Sequence, residues 1–182
     1  MTKKIIAVDL DGTLLNNESK LSDFTKETIK KISEKGHHVI ITTGRPYRMA
    51  KDFYRELELH TPMINFNGSL THLPGQTWEH EKCLTLDKKY LLDMVKRTED
   101  IQADFIAGEY RKKFYITTPN EEIADPKLFG VENFRPENQF KPERVTKDPN
   151  CILLQTRAED KYALADEMNR FYQHQLAINT WG

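Results

Sequence analysis

Cysteine is scarce in this chain, with two among 182 residues, Cys83 and Cys151. They lack metal-ligand spacing and do not resemble a disulfide framework, so a reduced, cytoplasmic setting is the simplest expectation. Long apolar runs are missing too. None reaches the roughly 18 residues that a membrane helix requires. The N-terminal MTKKIIAVDLDGTLL is interrupted by Asp9 and Asp11 and is no signal peptide. Charge of either sign is not in excess: 27 Lys and Arg stand against 28 Asp and Glu. Nothing in that balance points to nucleic acid or to an anionic membrane surface. Any phosphate binding must therefore come from local geometry. No G-x-x-x-x-G-K-[ST] string occurs, which excludes a nucleotide P-loop, and there is no internal repeat or low-complexity tract. What is present, 38% apolar and 30% charged residues, suits a folded chain of one large domain or two small ones.

The first third alternates strand and helix. Ile5 to Val8 is a short apolar run ending in an acid, as in a strand buried on both faces of a parallel sheet. Ser22 caps an expected helix from Asp23 to Lys35, with Phe24, Ile29 and Ile32 on its apolar side and Gly36 just beyond its end. His38 to Thr43 reads as a second buried strand. Pro46 opens a helix running to about Leu59, and Pro62 to Phe66 reads as a third strand. This order predicts a parallel α/β sheet. After the Asn67-Gly68 turn the pattern changes. Two short antiparallel strands, Ser69 to His72 and Thr77 to Glu81, are expected across Pro74-Gly75. A helix (Asp87 to Thr98), strands (Ala103 to Ala107, Phe114 to Thr118), a Pro- and Asn-rich stretch, a strand (Cys151 to Thr156), a helix (Glu159 to Tyr172) and a last strand (Gln175 to Asn179) follow. This second part reads as α+β, and the stretch from Thr118 to Asn150 is long enough to hold small elements of its own.

The chemistry gathers at the first strand end, Asp9-Leu10-Asp11-Gly12-Thr13-Leu14. Residues i and i+2 of an extended strand point to the same side, so both carboxylates can face the crevice beyond the carboxyl ends of a parallel sheet, where such folds bind ligands. Gly12 permits a sharp exit with positive φ. Two adjacent carboxylates repel and call for a cation, a shared proton, or both; oxygen-only ligands favour a hard ion such as Mg2+. An isolated Asp would be read as a turn cap. The whole D-x-D-G-T-L string is roughly a one-in-thousands chance event for a chain of this length. Thr43 is either a strand-end hydroxyl or a phosphate ligand. Arg45 either contacts phosphate or pairs with an acid at the surface. Asn67 either contacts substrate or only forms its turn. Six histidines show no ligand spacing and are expected at the surface or in turns. Arg111-Lys112-Lys113 reads as a solvated turn, and Tyr47, Tyr54, Trp78 and Trp181 as packing residues.

DLDGTLL resembles the first motif of the haloacid dehalogenase superfamily, and IITTGR, Ile40 to Arg45, resembles its second. TTGRP followed by NFNGS is similar to the Cof-type branch. That resemblance implies a Rossmann-like core, residues 1–82, with an α+β cap, residues 83–182, inserted after the third core strand. It implies a magnesium-dependent phosphoric monoester hydrolase acting on small phosphorylated metabolites such as sugar phosphates through an aspartyl-phosphate. Asp9 would be the nucleophile and Asp11 the general acid and base. Mg2+ would lie between the Asp9 carboxylate and the Asp11 carbonyl. Leu10, Thr43 and Gly44 would hold the phosphoryl oxygens, with Arg45 and Asn67 as further candidates.

The superfamily pattern also requires a third-motif Lys and a fourth-motif acid pair such as G-D-x-x-N-D, and neither string occurs here. The core is therefore expected to be incomplete and the chain alone to be a poor or inactive phosphatase. Without returning strands, the first strand becomes an exposed apolar edge that invites self-association. A catalytically inactive binding or assembly module with the same fold is the rival reading. The D-x-D-G-T string and the cap-like second half argue against a phospho-receiver domain.

Overall fold

The computed structural model describes residues 2–180; Trp181 lies outside them. The chain divides into two compact units, Met1–Leu84 and Thr85–Gly182.

In the first unit β1 (Ile5–Val8) runs parallel to β2 (His38–Ile41), with Val8 opposite Ile41. A bridge between Thr42 and Ile64 extends this parallel arrangement to β3 (Met63–Asn65). Between them lie α1 (Asp23–Glu34) and α2 (Tyr47–Glu56). The α1 start follows its sequence signal: the Ser22 side chain accepts the Thr25 N–H at 3.1 Å. Gly36, at φ +80°, sits just past its end. Ile29 enters the core and Ile32 packs against it. Phe24, expected on the same side, is 80% exposed instead. It lies in the first turn, ahead of the stretch that rests on the sheet.

β1 also departs from expectation. Its residues alternate between exposed and half-buried, and Ile5 is 72% exposed. Among the described residues only β2 pairs with it.

β3 continues into β4 (Leu70–His72), and β4 pairs antiparallel with β5 (Lys82–Cys83). The expected strand at Thr77 to Glu81 is not formed. The partner of β4 is displaced to Lys82–Cys83 because the connection beyond Pro74-Gly75 is longer than a tight hairpin; Cys83 stands opposite Leu70.

The second unit is built on β6 (Ala103–Tyr110), flanked antiparallel by β7 (Lys113–Ile116) and β8 (Cys151–Thr156). α3 (Lys88–Lys96) and α4 (Lys161–Phe171) bury Leu91, Met94 and Met168 together with Ile106 of the sheet. Phe105, Ala107, Phe114 and Ile116 form a separate apolar cluster with Phe129. Phe129 comes from the long segment between β7 and β8, which holds three short 3-10 turns. Its ring stacks on Phe114 at 4.8 Å between centroids. The expected last strand at Gln175 to Asn179 is absent. Backbone groups there are met by a side chain, since Ile178 N–H donates to Asn169 Oδ1 and Asn169 Nδ2 donates to the Ile178 carbonyl. Arg111, at φ +52°, makes the turn between β6 and β7 as expected. Both cysteines are free thiols.

Candidate functional site

β1 and β2 end side by side because they are parallel and in register, and the Thr42 N–H donates to the Val8 carbonyl at 2.8 Å. The residues that follow each strand are thereby delivered to one place. Asp9 is still extended, at φ −85° and ψ 163°. Leu10 then turns wholly inward, 0% exposed, while Asp9 and Asp11 remain exposed. This is the alternation that places two acids on one side of an extended chain. The chain then closes a wide turn in which the Leu15 N–H reaches the Leu10 carbonyl at 2.9 Å. Gly12, at φ +70°, supplies the left-handed residue that the turn needs.

The decisive contact crosses between the two strand ends. Arg45 Nε donates to Asp11 Oδ2 at 2.8 Å and its Nη2 donates to Oδ1 at 2.5 Å. This two-pronged geometry is the strongest form of arginine–carboxylate pairing. The Asp11 side chain remains 55% exposed and that of Arg45 20%. The Arg45 guanidinium also lies 5.6 Å from the centre of the Phe53 ring on α2, so an aromatic face supports it. Of the alternatives open for Arg45 in the sequence, pairing with an acid is the one seen, and the acid belongs to the D-x-D string itself.

Thr43 is buried, 3% exposed. Its N–H donates to the Ile64 carbonyl at 3.0 Å, and its hydroxyl oxygen accepts the Arg45 N–H at 3.1 Å. That leaves the hydroxyl proton free to be aimed at a ligand. Asn67 closes the group. Its N–H donates to the Thr43 carbonyl at 3.2 Å, and its side chain leaves no room for a Cβ on Gly44, which would lie 2.9 Å from Asn67 Oδ1. Thr43, Gly44, Arg45 and Asn67 thus form one connected loop cluster, tied to Asp11 by the guanidinium. Asp9 and Leu10 are delivered to it by the strand itself.

Two members were not legible as site residues. Asn65 and His72 are buried. Asn65 Nδ2 donates to the Arg45 carbonyl at 2.9 Å, and Asn65 Oδ1 meets His72 Nε2 at 3.0 Å. The His72 ring stands edge-on to Tyr47 at 5.0 Å. His72 was expected at the surface or in a turn with the other histidines, and the antiparallel pairing of β4 turns it inward instead. The available signal was Asn65 itself, an amide in an otherwise apolar strand.

As a metal donor set, the D-x-D turn offers oxygen atoms only, which fits a hard divalent ion. Among the described residues no group of three or more His, Cys, Asp or Glu side chains gathers around one point.

Comparison with known sequences decides the family. The profile of the haloacid dehalogenase-like hydrolases matches residues 6–182. The chain belongs to the haloacid dehalogenase-like hydrolases. Among curated members, it is 29% identical over 182 residues to a 5-amino-6-(5-phospho-D-ribitylamino)uracil phosphatase of Bacillus subtilis, matching 97% of this chain. It is 42% identical over 69 residues to a pyridoxal phosphate phosphatase of Escherichia coli, a match of 38% of this chain and 25% of that enzyme. Among solved structures, a haloacid dehalogenase-like hydrolase from Bacteroides thetaiotaomicron superposes with a TM-score of 0.76 at 17% identity, covering 100% of this chain and 68% of that one. That likeness bears on the fold. This haloacid dehalogenase-like chain spans 65% of the length of the Bacillus phosphatase. No helix among its described residues is long and apolar enough to cross a membrane.

Proposed function

We propose that this chain provides the nucleophile-bearing part of a phosphoric monoester hydrolase acting on small phosphorylated metabolites such as sugar phosphates. The observation that carries the reading is the clamp of Arg45 on Asp11 beside the buried Thr43 hydroxyl, at the end of two registered parallel strands. Phosphatase relatives that match nearly the whole chain support it.

In this reading the Asp9 carboxylate attacks phosphorus and the ester P–O bond breaks. The departing oxygen takes a proton from Asp11, leaving an aspartyl-phosphate at Asp9. A water molecule then attacks the same phosphorus, passing its proton to Asp11. The bond between Asp9 and phosphorus breaks, releasing inorganic phosphate and restoring Asp9 as a carboxylate and Asp11 in its protonated form. Splitting the hydrolysis replaces one difficult step with two easier ones. Thr43 and the N–H groups of Leu10 and Gly44 offer donors to the phosphoryl oxygens. Such preorganised donors are effective because they need no rearrangement as charge develops.

Asp9 and the Asp11 carbonyl would hold Mg2+, whose charge offsets the repulsion between carboxylate and phosphate. Arg45 has two partners available in turn, the Asp11 carboxylate and the incoming phosphate. Asn67 borders the same loop. Residues 83–182 would serve as the cap that sets substrate choice, in a cytoplasmic enzyme.

The test is hydrolysis of p-nitrophenyl phosphate with magnesium by this chain and by Asp9→Asn. A weak magnesium-dependent rate that disappears in the variant is expected, because this chain lacks the third-motif Lys and fourth-motif acids. Equal background in both would overturn the enzyme reading for this chain and favour the inert binding module.

A further inference from the structure

We infer that Asn65 and His72 act as positioning residues for the Arg45 clamp, forming a buried relay that runs from β4 through β3 to the loop after β2. The proposal deepens the phosphoryl-transfer reading, which supplies the purpose of the clamp. The dependence of the clamp on the relay is a separate matter and is tested separately.

The backbone of Arg45 is held at both ends. Its N–H is taken by the Thr43 hydroxyl at 3.1 Å, and its carbonyl accepts from Asn65 Nδ2 at 2.9 Å. The Phe66 N–H reaches the same carbonyl only at 3.5 Å, so the side-chain amide is the stronger donor. Because the amide nitrogen of Asn65 faces a carbonyl, its oxygen must face His72. His72 Nε2, 3.0 Å away, therefore carries the proton and donates. Asn65 is 0% exposed and His72 9%.

Burial makes the arrangement strict. Removing either partner leaves a desolvated donor or acceptor unsatisfied, which is more damaging than losing a solvent-exposed bond. The amide then has no reason to stay in the one rotamer that meets the Arg45 carbonyl. The guanidinium end of Arg45 is partly open and has a flexible stem. Its bidentate fit to Asp11 survives only while the backbone beneath it is fixed, since small displacements spoil a fork of two hydrogen bonds. Tyr47, edge-on to His72, fixes the ring plane from α2.

The experiment follows the Arg45 Nε–Hε resonance by NMR and measures its solvent exchange in the wild-type chain, His72→Leu, His72→Gln and Asn65→Ser. Glutamine places an N–H where the imidazole Nε2 stands; leucine fills the space without a donor. Exchange is expected to quicken about tenfold in His72→Leu and Asn65→Ser, the weight of one buried hydrogen bond. His72→Gln is expected to retain the wild-type rate. Unchanged exchange in both disruptive variants overturns the relay, and so does a glutamine variant as loose as the leucine one. If His72→Leu does not fold by circular dichroism, Asn65→Ser and His72→Gln decide the matter alone. Titrating inorganic phosphate against the same wild-type resonance tests the underlying reading. No perturbation there would sink the phosphate role of Arg45 while leaving the relay to stand on the exchange rates.

Discussion

Gly44 and Asn67 stand so close that a Cβ built on the glycine would lie 2.9 Å from Oδ1 of the asparagine. The residue after the buried Thr43 hydroxyl is therefore kept bare by a side chain from another loop. Asn67 itself adopts φ +52°, a left-handed conformation that asparagine tolerates and bulkier residues resist. Gly44→Ala is expected to push Asn67 aside and to weaken inorganic phosphate binding by about tenfold, with a stability loss of about 1 kcal/mol, at the low end for overpacking because the atom that must move ends a side chain. Adding Asn67→Gly removes the obstructing atom, and the double variant should recover affinity relative to Gly44→Ala. Calorimetric titration of the three variants checks this.

The Arg45–Asp11 pair predicts a separation of activity from stability. With the Asp11 side chain 55% exposed, breaking the pair should change unfolding free energy by less than about 1 kcal/mol. Asp11→Asn should nevertheless lower p-nitrophenyl phosphate turnover by roughly 10²–10⁴, the usual weight of a general acid–base group. Arg45→Lys keeps the charge but cannot fork, and should fall between the wild type and Arg45→Ala. Urea melts and rates measured on the same preparations read both quantities.

In the second unit Gly108 meets Leu91 more tightly still. A Cβ at position 108 would overlap Leu91 Cδ2, and Leu91 is fully buried. Gly108→Ala is expected to destabilise this unit by about 1–3 kcal/mol through overpacking. Combined with Leu91→Ala, it should cost less than the sum of the two single changes, because the added methyl enters the space that leucine leaves. A double-mutant cycle in denaturant measures the coupling.

Alkaline pH should weaken the fold. Burial first, and the nearby Glu109 second, push the Cys151 thiol from 9.0 up to about 12. In the unfolded chain the thiol ionises near 9.0, whereas in the folded chain it keeps its proton to about 12. Across that window the unfolded state binds fewer protons, so unfolding free energy falls as pH rises, and below it this group contributes no slope. Tyr54 and Tyr172, each pushed from 10.0 to about 12 mainly by burial, act in the same direction. Cys151→Val should flatten the pH dependence of the urea midpoint above pH 9 and leave it unchanged below. An equal slope in both proteins would remove the thiol from the account.

Local signals made the early part of the fold readable. Four apolar residues ending in Asp9, the Ser22 cap and Gly36 each act within a few positions, and the structure follows them. The D-x-D-G-T string and the TTGR loop were legible for the same reason. Features set by distant partners were not. The strand opposite β4 depends on where a loose loop returns, which no short-range pattern states. Asn179 and its neighbours carry strand-like residues, yet the Asn169 side chain answers their backbone instead. His72 could be placed inward only by knowing the register of β4 against β3. The meeting of Arg45 with Asp11, 34 positions apart, needed the parallel register of the first two strands.

The single ladder of β1 bears on the acid that follows it. Among the described residues β1 is paired through four positions, from Ile5 opposite His38 to Val8 opposite Ile41. Asp9 comes one residue after the last of them, so its footing is as firm as those four pairs. A change that loosens Val8 against Ile41 therefore reaches the acid before it reaches the apolar core.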